Sequence, residues 1–346
     1  NLNAIVNDRL DFRLRSALVR ELQPYIPAED HVRLSGDVAY VAQEQRRIGI
    51  ESVVWMADQV VSLSEEQHSR LIELVDEIWQ DDWTTGSGRI LYSEDPRPPV
   101  VFQMIELEKL DEILDDNQLV CIMADEMYEV RTYFNSPDDE EQERFVEKFV
   151  LDMLVPVNAK IDEIDALCGL SDGQRRRLIV GAKGAALKAG LERFEVGANE
   201  AVTGETMRSI WSVRYEVAMQ SLMRQKAWQR AIESTLNEEQ AVIWSERESL
   251  RRSRTRDVMA GSFTSAISVY FPMSKQQYSE FHEMVLREVP ESAMQAGRFE
   301  VSMHITFMDE EKYREILAPD QFDFLVARFE VSRASYPPPE QDEDEE

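Results

Sequence analysis

Leu63-Ser64-Glu65-Glu66-Gln67-His68-Ser69-Arg70-Leu71 reads as the start of a helix, and the chain writes the same start five more times. Ser64 sits where an N-cap oxygen accepts a hydrogen bond from an orphan backbone N–H. Gln67, three residues on, can reach back to the N–H of the cap residue. Leu63 anchors the arriving chain in the core, and Leu71 lies on the same face one turn after the glutamine. The next copies are Leu114-Asp115-x-x-Gln118 with Ile122 and Leu170-Ser171-x-x-Gln174 with Leu178. Leu236-Asn237-x-x-Gln240 with Trp244 and Met273-Ser274-x-x-Gln277 with Phe281 follow. The sixth, Leu317-Ala318-Pro319-x-Gln321 with Leu325, lacks a capping side chain. It places proline at the first helical position instead, where the missing N–H is harmless. Successive copies are 51, 56, 66, 37 and 44 residues apart, which excludes a solenoid of fixed period.

Outward from these starts the chain remains helical in pattern. Leu10, Leu14 and Leu18 form one stripe over residues 4–22, and Val32, Leu34, Val38 and Val41 do so over 28–46. No proline occurs between Pro156 and Pro272, which leaves room for several uninterrupted helices. The expected fold is all-α: an irregular multi-helix bundle or helical array of about 10–14 helices. One segment, 299–307, alternates Val301, Met303 and Ile305 with smaller or polar residues and admits a short strand, although the helical patterns on either side favour helix. The expected organisation is an acidic helical region over 1–169 with a long loop at 84–101, then a helical region over 170–334. An acidic, proline-bearing disordered tail over 335–346 closes it.

Charge divides the sequence further. The formal net charge is −29, unsuited to neutralising phosphates, so nucleic acid is not an expected partner. From Leu170 to Ala260, however, 16 Lys and Arg meet 12 Asp and Glu, against 22 and 55 in the remainder. Within that basic middle Arg247, Arg251 and Arg254 fall at helical spacing, with Arg252 and Arg256 beside them. They read either as partners for the protein's own carboxylates or as a dock for an acidic partner.

Catalytic and metal constellations are not evident. The four histidines, His31, His68, His282 and His304, show no ligand spacing, and no cofactor is expected. Gly181-Ala182-Lys183-Gly184 lacks the spacing of a phosphate loop and suits a close helix contact instead. Cys121 and Cys168 read as one disulfide or as two unpaired thiols. No apolar run reaches the length of a membrane span.

The repeated start is similar to the LTxxQ signature of periplasmic helical chaperones of the Spy/CpxP class. It resembles more closely a group of exported planctomycete-type helical proteins built from recurrent L-S/T-x-x-Q helix starts. Ile161–Leu178, Leu63–Trp83 and Ser234–Trp244 carry this likeness, over about 60–330. The resemblance implies an exported protein, periplasmic or extracellular, with a cytoplasmic one still open, and it implies no catalytic residue. The expectation is therefore a non-enzymatic scaffold or interaction protein that takes a protein partner or a second copy of itself. A chaperone-like binder of apolar clients, with a groove around Met219, Leu222 and Met223, is the first alternative. An enzyme whose site forms only in three dimensions is the other.

Overall fold

The computed structural model describes residues 12–80, 101–123, 129–133, 139–203, 210–214 and 222–335. Fourteen helices occur among them. They are α1 Phe12–Leu22, α2 Ala28–Val61, α3 Glu65–Ile78, α4 Leu107–Asp111, α5 Asp116–Met123, α6 Asp139–Cys168 and α7 Asp172–Thr203. Then come α8 Lys226–Thr235, α9 Glu238–Tyr270, α10 Lys275–Glu288, α11 Glu291–Ala296, α12 Arg298–Thr306, α13 Glu311–Arg314 and α14 Pro319–Ser335. The fold is all-α. The exception among the described residues is an antiparallel ribbon of β1 Glu129–Tyr133 and β2 Ile210–Arg214, with Glu129 opposite Arg214.

Residues 299–306 belong to α12, so the segment that admits a strand follows its helical flanks. Val301 and Ile305, one turn apart, are both buried, and so is Met303. A short helix buried on more than one side mimics strand alternation. Most of the loop expected at 84–101 and the tail after Ser335 lie outside the described residues.

The chain divides into two compact units. One comprises residues 1–52, 79–96 and 252–346, the other 53–78 and 97–251. Helices α6 and α7, on either side of position 169/170, both belong to the second unit. In the first unit Phe281 stacks between Phe263 and Tyr313, with centroids 6.4 and 6.1 Å away, and Phe329 meets Tyr313 edge-on at 5.7 Å. Burying each such ring contributes roughly 1.5–3 kcal/mol.

In the second unit α6 buries Phe145, Phe149, Met153, Val157, Ile161 and Ile164, a stripe repeating about every fourth residue. Against it α7 offers Leu178, Ala182, Ala185, Ala186 and Ala189, all buried. Small side chains let the backbones close in. A Cβ on Gly190 would lie 3.2 Å from Phe149, and one on Gly181 only 2.2 Å from the Cβ of Ala231 on α8. Of the Gly181-Ala182-Lys183-Gly184 run, Gly181 and Ala182 are thus packed at helix contacts, while Lys183 and Gly184 face outward.

All six glutamines accept from the backbone N–H of the residue three before them. Gln67 Oε1 accepts from Ser64 at 2.9 Å, Gln118 from Asp115 at 3.1 Å and Gln174 from Ser171 at 2.9 Å. Gln240 accepts from Asn237, Gln277 from Ser274 and Gln321 from Ala318 in the same way. Five cap side chains in turn accept from the backbone N–H of the glutamine, as Asp115 Oδ1 does at 2.8 Å.

The amide nitrogens do something a capping box does not require. Gln67 Nε2 donates to Gln118 Oε1 at 2.7 Å and to the Ile113 carbonyl at 2.9 Å. Gln118 Nε2 returns a bond to the Val61 carbonyl at 3.2 Å. Gln174 repeats this with Gln240 at 2.8 Å and with the Thr235 carbonyl, and Gln240 answers to the Cys168 carbonyl. In the first unit Gln277 pairs with Gln321 at 2.7 Å and bonds the Ile316 carbonyl, while Gln321 donates to Pro272. The six starts therefore form three docked pairs, each within one unit.

The turns into α3 and α7 are also alike. Helices α2 and α6 end on a residue at positive φ, Ser62 at 53° and Gly169 at 62°. Its N–H bonds the carbonyl four residues back, the αL ending of a helix. Asp58 and Asp165 then accept from the next N–H, that of Leu63 at 2.7 Å and Leu170 at 2.8 Å.

Two stability measurements check this packing. Glutamate at position 118 keeps the capping acceptor but cannot donate to Gln67 and Val61. Gln118→Glu should therefore cost about 1–3 kcal/mol in denaturant melts at neutral pH. The loss should shrink on acidification, as the carboxylate regains a proton. A capping box acting alone would tolerate glutamate. Gly181→Ala should cost about 1–3 kcal/mol despite alanine's helix propensity, because its Cβ meets Ala231.

Candidate interaction cleft

The arginines that looked like an outward dock are divided by the fold. Arg247 and Arg251 turn inward from α9 and are buried against the protein's own carboxylates, the first of the two readings, which removes these two from the candidate partner dock. Both line up because positions i and i+4 share a helix face. Arg251 grips Asp58 of α2 with two bonds of 3.0 Å and Glu163 of α6 with bonds of 2.9 and 3.1 Å. Arg247 holds Glu163 at 2.7 Å, the Leu63 carbonyl and Glu65. Lys160 bonds Glu248 at 2.7 Å and lies 4.8 Å from the centre of the Trp244 ring. Of the remaining three, Arg252 pairs with Glu291 at 3.3 Å, Arg256 donates to the Leu286 carbonyl and Arg254 is half-buried.

This cluster sets the local electrostatics. Burial alone would raise the Asp58 carboxyl, but Arg251, reinforced by Lys160 and Arg247, brings it down to about 2. Burial also works against Glu248, yet Lys160 and Arg251 leave it below the usual carboxylate range. At Glu163 burial wins and the carboxyl stays raised, though Lys160 and Arg251 oppose it. Arg251 is held charged by Asp58 and Glu163 against its own desolvation.

Glu163 and Arg247 form part of the wall of a cleft of about 1150 Å³ within the second unit. Helix α6 supplies one side through Val155, Asn158, Ala159, Asp162, Ala166 and Leu167, which recur at helical spacing. Leu151, one turn earlier, extends that face and is 59% exposed. From 151 to 167 the face runs about 24 Å. The first glutamine pair, Gln67 with Gln118, lies in the opposite wall with Ile113 and Cys121. Five lining carboxylates (Glu65, Glu66, Asp115, Asp162 and Glu163) meet two lining arginines, Arg70 and Arg247, so the cleft is apolar within and acidic in sum.

Other sequence candidates are set elsewhere. Trp55, Trp79, Trp228 and Trp244 are core residues. Of the three residues expected around an apolar groove, Leu222 is fully buried, Met223 is half-buried and Met219 lies outside the described residues. Both cysteines are free thiols, and burial pushes that of Cys121 up to about 11. Among the described residues no group of His, Cys, Asp or Glu could hold a metal ion. The cleft was detectable in one respect. Between Phe145 and Leu167 the apolar residues are too many for a single stripe, leaving Leu151, Val155 and Leu167 over once the buried row is assigned.

Asp58 supplies the pH test. A depressed carboxyl contributes stability that is present above its unfolded value, about 3.9, and is lost as pH falls through its folded value. Asp58→Asn should lower stability near neutral pH by about 2–4 kcal/mol. It should also flatten the acid limb of the stability profile between about pH 4 and pH 2. An unchanged acid limb would place the acid sensitivity outside this cluster. Comparison with family models, curated proteins and solved structures finds no match for the chain.

Proposed function

We propose that this is a non-enzymatic helical interaction protein whose α6 cleft holds an amphipathic, basic helix of a protein partner. The observation that carries the reading is the pairing of an exposed apolar stripe, Leu151, Val155 and Leu167, with a carboxylate-rich lining. A groove several turns long with apolar anchors suits a helix laid along it, and its acidic rim selects basic flanks. The rigid walls, fixed by the glutamine pair and the ion cluster, favour a preformed site. The resemblance to exported helical proteins supports a place outside the cytoplasm.

The exposed apolar residues favour one second reading, a chaperone-like hold on apolar segments without regard to charge. Fluorescence anisotropy with two labelled peptides, one of leucine and lysine in helical register and one of leucine and glutamate, separates the readings. The expected result is binding of the lysine peptide alone, weakened about tenfold or more by Val155→Arg or Glu66→Lys. Equal binding of both peptides would move the function to the chaperone-like reading. Binding of neither would remove the cleft from consideration.

A further inference from the structure

We infer that the helix this cleft receives is the outward face of α7 in a second copy of the chain, so that the protein associates head to tail. The inference rests on the reading of the cleft as a helix acceptor and adds the identity of its occupant. The buried alanine row leaves α7 with an opposite face that no described segment covers. On it Val180 is 70% exposed, Leu187 50% and Leu191 37%, at i, i+7 and i+11. Gly184 stands between them, and a Cβ added there would meet nothing within 4 Å. The stripe is therefore an open apolar seam about 16 Å long, which fits within the length of the α6 face.

Its flanks carry the charge the cleft requires. Arg176, Arg177, Lys183 and Lys188 border the seam and are exposed. Arg177 and Lys183 form no ion pair among the described residues, and Lys188 approaches only Glu192, at 3.6 Å. The competing exposed apolar face, Val242, Ile243 and Leu250 on α9, is bordered by Glu238, Glu239 and Glu246, which an acidic cleft would repel. In a chain with 67 acids against 38 bases, a basic apolar helix face is scarce, and α7 provides one.

Because giver and receiver are different surfaces, each copy can donate α7 while accepting another. Such contacts are heterologous and propagate into rings or open chains. At about 0.15 M salt the Debye length is about 8 Å, so the net charge does not hold copies apart while close pairs still act.

Sedimentation equilibrium of the full chain tests this, over about 1 µM to 1 mM at that salt. The weight-average mass of the wild type should rise with concentration, by about twofold or more. Leu187→Glu, with Val180→Glu as a second α7 variant, should stay monomeric. Val155→Arg, with Leu151→Arg as a second cleft variant, should too. All four positions are exposed, and unchanged circular dichroism would confirm the fold. An equimolar mixture of Leu187→Glu and Val155→Arg holds one intact cleft and one intact α7 face, so it should form dimers and nothing larger. A wild type that stays monomeric, or single variants that still associate, would overturn the inference. If the leucine–lysine peptide nonetheless binds the monomer, only the identity of the occupant fails. If the peptide is not bound either, the cleft reading fails with it.

Discussion

A primary amide carries an acceptor and two donors on one rigid plane, and this fold uses both ends of it six times. The oxygen closes a helix start, while the nitrogen reaches across to a second start and to a carbonyl just before it. Local and tertiary structure are thereby fixed by the same side chain. Glutamate would serve the first purpose as well as glutamine does, and the chain is rich in it. The use of glutamine at every one of the six positions follows from the second purpose, because a carboxylate cannot donate. Each amide also satisfies a carbonyl at a helix end or in the turn after it, where intrahelical partners run out.

The ion cluster solves a different problem in the second unit. At Asp58, Glu163 and Arg251, helices α2, α6 and α9 meet through charged side chains. Three cations, Lys160, Arg247 and Arg251, bind Asp58, Glu163 and Glu248, with Glu65 at the exposed end. An apolar core of equal volume would be no less stable in general, since desolvation offsets much of the Coulomb attraction. What the charged version adds is direction. Arg251 fits its guanidinium plane to two carboxylates at once, so the helices are held in one rotational register as well as at one distance.

The legible part of this fold was the part governed by local rules. Helix starts could be read because cap, glutamine and apolar anchor lie within nine residues, and the small-residue contact at Gly181 could be read from composition. Pairing of the starts could not, because partners are 44–66 residues apart and every glutamine looks alike before the chain folds. The arginines of α9 show the same limit. Their spacing revealed a shared face but not whether that face met solvent or Asp58 and Glu163. The segment at 299–307 stayed ambiguous for the opposite reason: burial on several sides of α12 blurs the period that identifies a helix, and only its flanks favour one. The cleft was only half legible: the surplus apolar residues of α6 show two faces, but a sequence pattern alone does not say which of them has a neighbour.

The two matched turns differ at one atom group, and the difference falls on the wall of the cleft. Gly169 adopts its left-handed conformation freely, whereas Ser62 does so against its own Cβ. Ser62 also lines the cleft, close to Ser64 and Arg247. A glycine at this turn would relax the backbone and at the same stroke strip a hydroxyl from the surface a ligand meets. Conformational ease and surface chemistry are thus in competition at a single residue. Substitutions that make this chain sturdier at position 62 would alter what its cleft presents.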